Sequence, residues 1–322
     1  MDNFDKDVFC THTEPYKVII DTDPGVDDVA CLVYALADEH LDIKLLTSVV
    51  GNVSLQTATR NLLHVIDILG IDLPVAMGAE KALMRESIDA KFIHQEEGLG
   101  GYIPPKSAHH KPLEEDAVEA MYNVIMQNDG DVIPIILGPH TNLATLFTRH
   151  PEVIKKIPRI AFMGGSPYGH PSYPNHISFN ISSDPEAFKI VLDSGIPLIM
   201  VPSVIGRKHA HLTEEYVNKL DKVNDVGKLL KKMYSMYWEP NFPDKRVATN
   251  DSCAYFSLVY PKLFTFERVS VTVNTTDAPG KTLVDFDGVG NVLLVTDIDR
   301  ENFIKLLDSD LLKYDNLSIP TV

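Results

Sequence analysis

One stretch near the start constrains this chain more than any other: Val18-Ile19-Ile20 runs into Asp21, Asp23, Asp27 and Asp28, four carboxylates within eight residues. The apolar run is a β-strand pattern, and Val29, Leu32, Val33 and Leu36 beyond the acids recur at the spacing of one helix face. Strand, tight turn at Pro24-Gly25 and helix make the first unit of an open α/β sheet, whose ligands bind at the carboxyl ends of the strands. Four acids in one turn repel one another unless a cation sits among them or some stay protonated. Oxygen-only ligands suit a hard cation, calcium or magnesium, and the absence of His or Cys nearby argues against zinc. The plainer reading is that Asp27 and Asp28 cap the helix and favour its positive end, with Pro24-Gly25 as a turn.

The rest of the chain repeats the alternation. A strand over 42–50 precedes a helix from Ser54 to Leu69, with Ser54 as N-cap and Gly70 as stop. A short strand over 73–78 follows, then a long segment from Glu80 to Lys111 with little periodicity, the length of a loop that covers a site. A helix is expected over 113–127, a strand over 131–137 and a helix after Gly138-Pro139-His140. Next come a strand over 159–163, a helix over 184–193 and a strand over 196–201. Helices near 213–220, 226–236 and 251–258, β-rich segments at 269–273, 282–286 and 291–295, and a helix from Asp299 complete the pattern. Strands separated by helices pair in parallel through right-handed crossovers, so the expectation is a single-domain, mostly parallel, doubly wound, Rossmann-like α/β sheet flanked by helices. Residues 1–14 are expected to form a loose extension. Asn52, Gly138, Gly165 and the run from Asp21 to Asp28 end strands on one edge of that sheet.

Composition narrows the function classes. A net charge of -16 over 322 residues disfavours nucleic acid and anionic membranes as partners. Cys10, Cys31 and Cys253 are odd in number and in no metal or redox spacing, which suits a reducing compartment. The segment from Met1 to Glu14 lacks the basic and apolar regions of a signal peptide, and no run reaches the length of a membrane span, so a cytoplasmic location is expected.

Asp21-Thr22-Asp23-Pro24-Gly25-Val26-Asp27-Asp28 resembles the amino-terminal signature of the inosine-uridine-preferring nucleoside hydrolases. The likeness continues through Val49-Val50-Gly51-Asn52, Gly98-Leu99-Gly100-Gly101, Leu137-Gly138-Pro139, Thr141-Asn142-Leu143-Ala144, Met163-Gly164-Gly165 and Phe179-Asn180 before Asp184-Pro185-Glu186-Ala187. The resemblance implies the nucleoside hydrolase fold, calcium-dependent hydrolysis of the N-glycosidic bond of ribonucleosides, and a homodimer or homotetramer. It makes Asp23, Asp28, the carbonyl of Leu137 and Asp251 the Ca2+ ligands, and Asp23 the general base. Asp27, Asn52 and Asn180 fall at ribose-binding positions, with Met163, Asn175, Ser178 and Asn250 as further substrate contacts. His94 matches the histidine of a mobile active-site loop and is the candidate for leaving-group protonation.

Two residues depart from the family pattern. Ser178 stands where the family commonly has a Glu that reaches the 5′-hydroxyl, leaving Asn175 or His176 to make that contact. Asn250 stands where many members have His before the late calcium-binding Asp, and an amide cannot act as a general acid. Tyr234, Tyr237 and Trp238 lie where relatives place stacking or relay groups. Two other readings follow from the same residues: a haloacid-dehalogenase-type phosphatase with Asp21 as nucleophile and Asp23 as acid/base, or a nucleoside-binding sensor that has lost its acid.

Overall fold

The computed structural model describes residues 14–104, 109–170, 175–240 and 242–319. Residues 1–13 of the extension expected over 1–14, Cys10 among them, and residues 171–174 of the segment between Tyr168 and His176 lie outside the described residues.

The chain opens with β1 (Tyr16–Thr22), α1 (Val26–Ala37), β2 (Leu41–Ser48), α2 (Leu55–Leu69) and β3 (Val75–Met77). Ser54 caps α2 by accepting from Thr57 N, and Gly70 ends it in the left-handed region at φ 66°, as its sequence predicts. The long loop carries one helical turn, α3 (Lys91–His94). Then come α4 (Ala117–Gln127), β4 (Val132–Ile136), α5 (Thr141–Arg149) and β5 (Ile160–Met163). Helix α4 starts four residues later than the periodicity from Leu113 suggests, because the Asp116 carboxylate accepts from Glu119 N and fixes the start. The second half runs α6 (Phe179–Ser183), α7 (Pro185–Asp193), β6 (Leu198–Val201), a π turn over Ile205–His209, β7 (Leu212–Thr213), α8 (Glu214–Lys219) and α9 (Asp225–Tyr234). It closes with β8 (Arg246–Val247), α10 (Asn250–Val259), β9 (Phe264–Val273), β10 (Thr282–Asp285), β11 (Val292–Ile298) and α11 (Arg300–Leu312). The short α6, the π turn and the β7–β8 ribbon carry no periodic signal and were not expected from the sequence.

Nine strands form one sheet in the order β10-β9-β11-β6-β5-β4-β1-β2-β3. Strands β1 to β6 and β11 pair in parallel, whereas β9 runs antiparallel to both β11 and β10. The parallel pairing is as expected; the antiparallel wing was invisible because alternating side chains do not encode strand direction. The order reverses between β1 and β4, and that switch point is where an open α/β sheet leaves a crevice for ligands.

Two apolar layers sandwich the sheet. One gathers Val29, Leu32 and Val33 of α1 with Leu62 and Ile66 of α2, Leu230 of α9, Phe256 of α10 and Phe303 of α11. The other gathers Met121 of α4, Leu143 of α5 and Phe188 of α7. Strands buried on both faces read as continuous apolar runs, which is why Val18-Ile19-Ile20 does not alternate. Among the described residues no helix is long and apolar enough to cross a membrane.

Candidate active site

The sheet delivers the acids to the switch point through local geometry. Strand β1 ends at Thr22, and α1 begins after Gly25, so Asp23 lies in the turn while Asp27 and Asp28 occupy the first helical turn. Asp28 does serve as a cap, its Oδ2 accepting from Gly25 N at 3.0 Å. It also accepts from Thr22 Oγ1 at 2.6 Å and from Asn52 Nδ2 at 3.0 Å. Asp23 Oδ2 accepts from Asn52 N at 2.7 Å, leaving Oδ1 buried with no partner. Glycine is required around these groups: a Cβ on Gly51 would stand 1.9 Å from Asp23 Oδ2, and one on Gly25 would stand 2.6 Å from His94 Nδ1.

Across the crevice, α10 brings Asn250 and Asp251. Asn250 Nδ2 donates to Asp27 Oδ2 at 3.2 Å across 223 positions of sequence, and Asp251 Oδ1 is buried without a partner. Carboxylate oxygens of Asp27, Asp28 and Asp251 lie within 4.8 Å of one another. This trio includes Asp27, and Asp23 stands close enough for the charges of Asp28 and Asp27 to act on it. The Leu137 carbonyl, just past β4, accepts from Asn180 Nδ2.

Burial and mutual repulsion set the protonation of the floor. Burial is the largest cause raising the Asp23 carboxyl, followed by the charges of Asp28 and Asp27. Asp251 rises for the same reasons, and Asp27 reaches about 6. A divalent cation among these oxygens would reverse that penalty. The orphaned oxygens of Asp23 and Asp251, with an all-oxygen donor set, fit a hard cation such as calcium.

Above the floor lies a cavity of about 580 Å³, within the roughly 300–1,000 Å³ typical of small-ligand sites. Asp27, Asp28, Asn52, His94, Leu137, Met163, Ser178, Asn180, Asn250 and Asp251 all line it. Asn175 does not: its Oδ1 accepts from Gly169 N at 2.9 Å on the surface, and this expectation is corrected. His176 lines the cavity instead, its Nε2 lying 2.9 Å from Ser203 Oγ. Tyr237 and Trp238 line it as well, whereas Tyr234 is 1 % exposed and belongs to the core. A larger open groove of about 710 Å³ between α8 and α11 offers no buried polar convergence. Lys219 and Lys305 there are paired to Glu215 and Glu301 on their own helices.

His94 closes one side of the cavity. Its Nδ1 accepts from Val26 N at 3.1 Å and its ring stacks on Tyr237 at a centroid distance of 5.1 Å. Burial lowers its pKa to about 4, partly opposed by the Asp28 charge, so the ring is neutral at pH 7 with its proton on Nε2. Asp21 is not available as a nucleophile. Its Oδ1 is taken up by Thr47 Oγ1 at 2.5 Å and Asn142 Nδ2 at 2.7 Å, which speaks against the phosphatase reading. Sequence reasoning missed Arg207 and Glu239, which meet in the cavity wall from segments 32 positions apart.

Fold and site together define an open α/β enzyme whose carboxylate floor, at the topological switch point, faces a cavity sized for a nucleoside. The family model for inosine-uridine preferring nucleoside hydrolase matches residues 18–305. The non-specific ribonucleoside hydrolase RihC of Klebsiella pneumoniae is 35% identical over 292 residues, covering 89% of this chain and 95% of its own. RihC of Salmonella paratyphi B is 36% identical over 278 residues, covering 86% and 90%. Among solved structures, a purine-preferring ribonucleoside hydrolase from Gardnerella vaginalis superposes with a TM-score of 0.85 at 25% identity, covering 94% of this chain and 100% of its own. A plant nucleoside hydrolase gives 0.84 at 29% identity, covering 92% and 99%. The chain belongs to the inosine-uridine preferring nucleoside hydrolase family, and it is an enzyme that hydrolyses the N-glycosidic bond of ribonucleosides.

Proposed function

We propose that the chain cleaves ribonucleosides to free base and ribose with Ca2+ held by Asp28, Asp251, the Leu137 carbonyl and Asp23, and with Asp23 as general base. The observation that carries this reading is the pair of buried carboxylate oxygens, Asp23 Oδ1 and Asp251 Oδ1, that have no partner beside Asp27 and Asp28. Bound calcium would supply a positive anchor for a ribose diol and for the attacking water.

The chain's own residues account for the remaining steps. Asn52 N–H holds Asp23 Oδ2, which fixes in place the carboxylate that takes the water proton. Asp27, Asn52 and Asn180 hold the ribose hydroxyls, and the surrounding acids favour the positive charge that builds on the sugar as the bond breaks. Asn250 holds Asp27 in place through its Nδ2 and supplies no proton. His94 offers Nε2–H as a hydrogen-bond donor to the departing base, and His176 and Ser178 take the 5′-hydroxyl end.

The whole chain is read as one domain acting on a small molecule, cytoplasmic, and assembled as a homodimer or homotetramer. Buried free thiols at Cys31 and Cys253 agree with a reducing compartment. The test is a panel of ribonucleosides assayed for free base and ribose with and without a calcium chelator. Release that stops with chelation and returns with Ca2+ is expected, whereas tight nucleoside binding without release would favour the sensor reading. Sedimentation of the purified chain tests the assembly state.

A further inference from the structure

The cavity wall formed by the π turn and residues 236–240 carries a charged pair that bond cleavage does not use. Arg207 Nε donates to Glu239 Oε2 at 2.8 Å, and Nη2 reaches the same oxygen at 2.7 Å. Two guanidinium nitrogens converge on one carboxylate oxygen, which leaves Glu239 Oε1 and Arg207 Nη1 without a protein partner among the described residues. The side chains are 27% and 10% exposed, and both line the cavity.

The pair stands on the Asn250 side. A Cβ on the neighbouring Gly206 would lie 2.5 Å from Asn250 N, so the π turn packs directly against the start of α10. π turns are uncommon and recur at functional sites. Taking an ion pair partly out of water costs free energy that apolar side chains of similar size avoid. A wall needed only to exclude water would continue the apolar surface of Ile93, Met236 and Trp238.

The pair offers an acceptor and a donor side by side. The Watson–Crick edge of a nucleobase presents the complement, an N–H next to a carbonyl or ring nitrogen, and enzymes that handle single bases read them along it. Resting on the hydrolase reading above, we propose that Arg207 and Glu239 form the base-reading element of this site. Glu239 Oε1 accepts from the base N–H, and Arg207 Nη1 donates to the neighbouring acceptor. The substrates favoured are ribonucleosides whose leaving group carries such a paired edge.

The test compares kcat/KM for inosine with kcat/KM for p-nitrophenyl β-D-ribofuranoside, which shares the sugar but lacks a paired edge. The variants are Arg207→Gln and the double change Arg207→Met with Glu239→Leu, the second keeping the wall filled without a lone charge if the first does not fold. The ratio of the two values is expected to fall about tenfold or more in either variant, and a ratio within about twofold of the parent's overturns the proposal. Failure of the parent protein to release ribose from either compound would be a different result, overturning the hydrolase reading itself.

Discussion

The floor and the wall of the cavity are built on opposite plans. Three acids of the floor are held by a neighbour: Asp28 by Thr22 and Gly25, Asp23 by the backbone of Asn52, Asp27 by Asn250. The wall comes from the single turn α3, the π turn and residues 236–240, which lie outside the sheet. Gln95 in it even holds a positive φ of 66°. On the proposed reading the contrast is a division of labour: cation and proton chemistry need charges fixed before the substrate arrives, and the sheet edge supplies them. On the proposed reading, choice of leaving group falls to the loops, which tolerate change.

That division can be broken most directly at Asp23. Asp23→Asn keeps the shape and removes the proton acceptor, so kcat for ribose release should fall by about 10³, and a loss under about tenfold would place the base elsewhere. Next in size, chelation of Ca2+ should abolish turnover and lower Tm, since a ligand at about 100 times its Kd stabilises by ~2.7 kcal/mol. Persistent activity in excess chelator would contradict the metal assignment.

The wall should respond more gently. His94→Phe keeps the ring against Tyr237 but loses Nε2–H, and kcat should fall by roughly 10- to 100-fold if the donor matters. Full activity in that variant would reduce His94 to a packing role. Asn250→His removes the hydrogen bond to Asp27 and should still change rate or base preference more than inhibition by free ribose, and a change confined to ribose affinity would blur the line between wall and floor.

The smallest effect is on stability. His140 lies under the floor between Phe162 and Phe188, with both ring nitrogens buried and unpartnered, and burial lowers its pKa to about 3. The folded state thus disfavours protonation, so this histidine's contribution is complete above its unfolded value near 6.5 and is lost as pH falls toward 3. His140→Phe should flatten the decline of stability on acidification by at most about 1.4 kcal/mol per pH unit, read from Tm between pH 7 and 4. Parallel Tm curves for the two proteins would show that the buried ring does not titrate on unfolding.

Much of the floor was legible because its rules are local. An apolar run followed by acids and then a 3.6-residue period specifies strand, turn and helix from neighbours alone, and Ser54 and Gly70 announce their helix by capping chemistry. The periodicity from Leu113 overshoots the helix start, because it extends ahead of the point where the Asp116 cap fixes the boundary. Asn175 and His176 could not be told apart in sequence, since one turn of the chain decides which faces the cavity and which caps Gly169.

By itself, then, the sequence determined the parallel α/β architecture, the acid-bearing turn after β1 and the family to which the chain belongs. Only the tertiary structure decided that Asp27 joins Asp28 and Asp251 in one trio, that Asp23 keeps one buried oxygen without a partner, and that Arg207 meets Glu239. The physical reason is range: hydrogen-bond periodicity and capping act over a few residues, whereas these meetings depend on how whole helices and loops pack over the edge of one sheet.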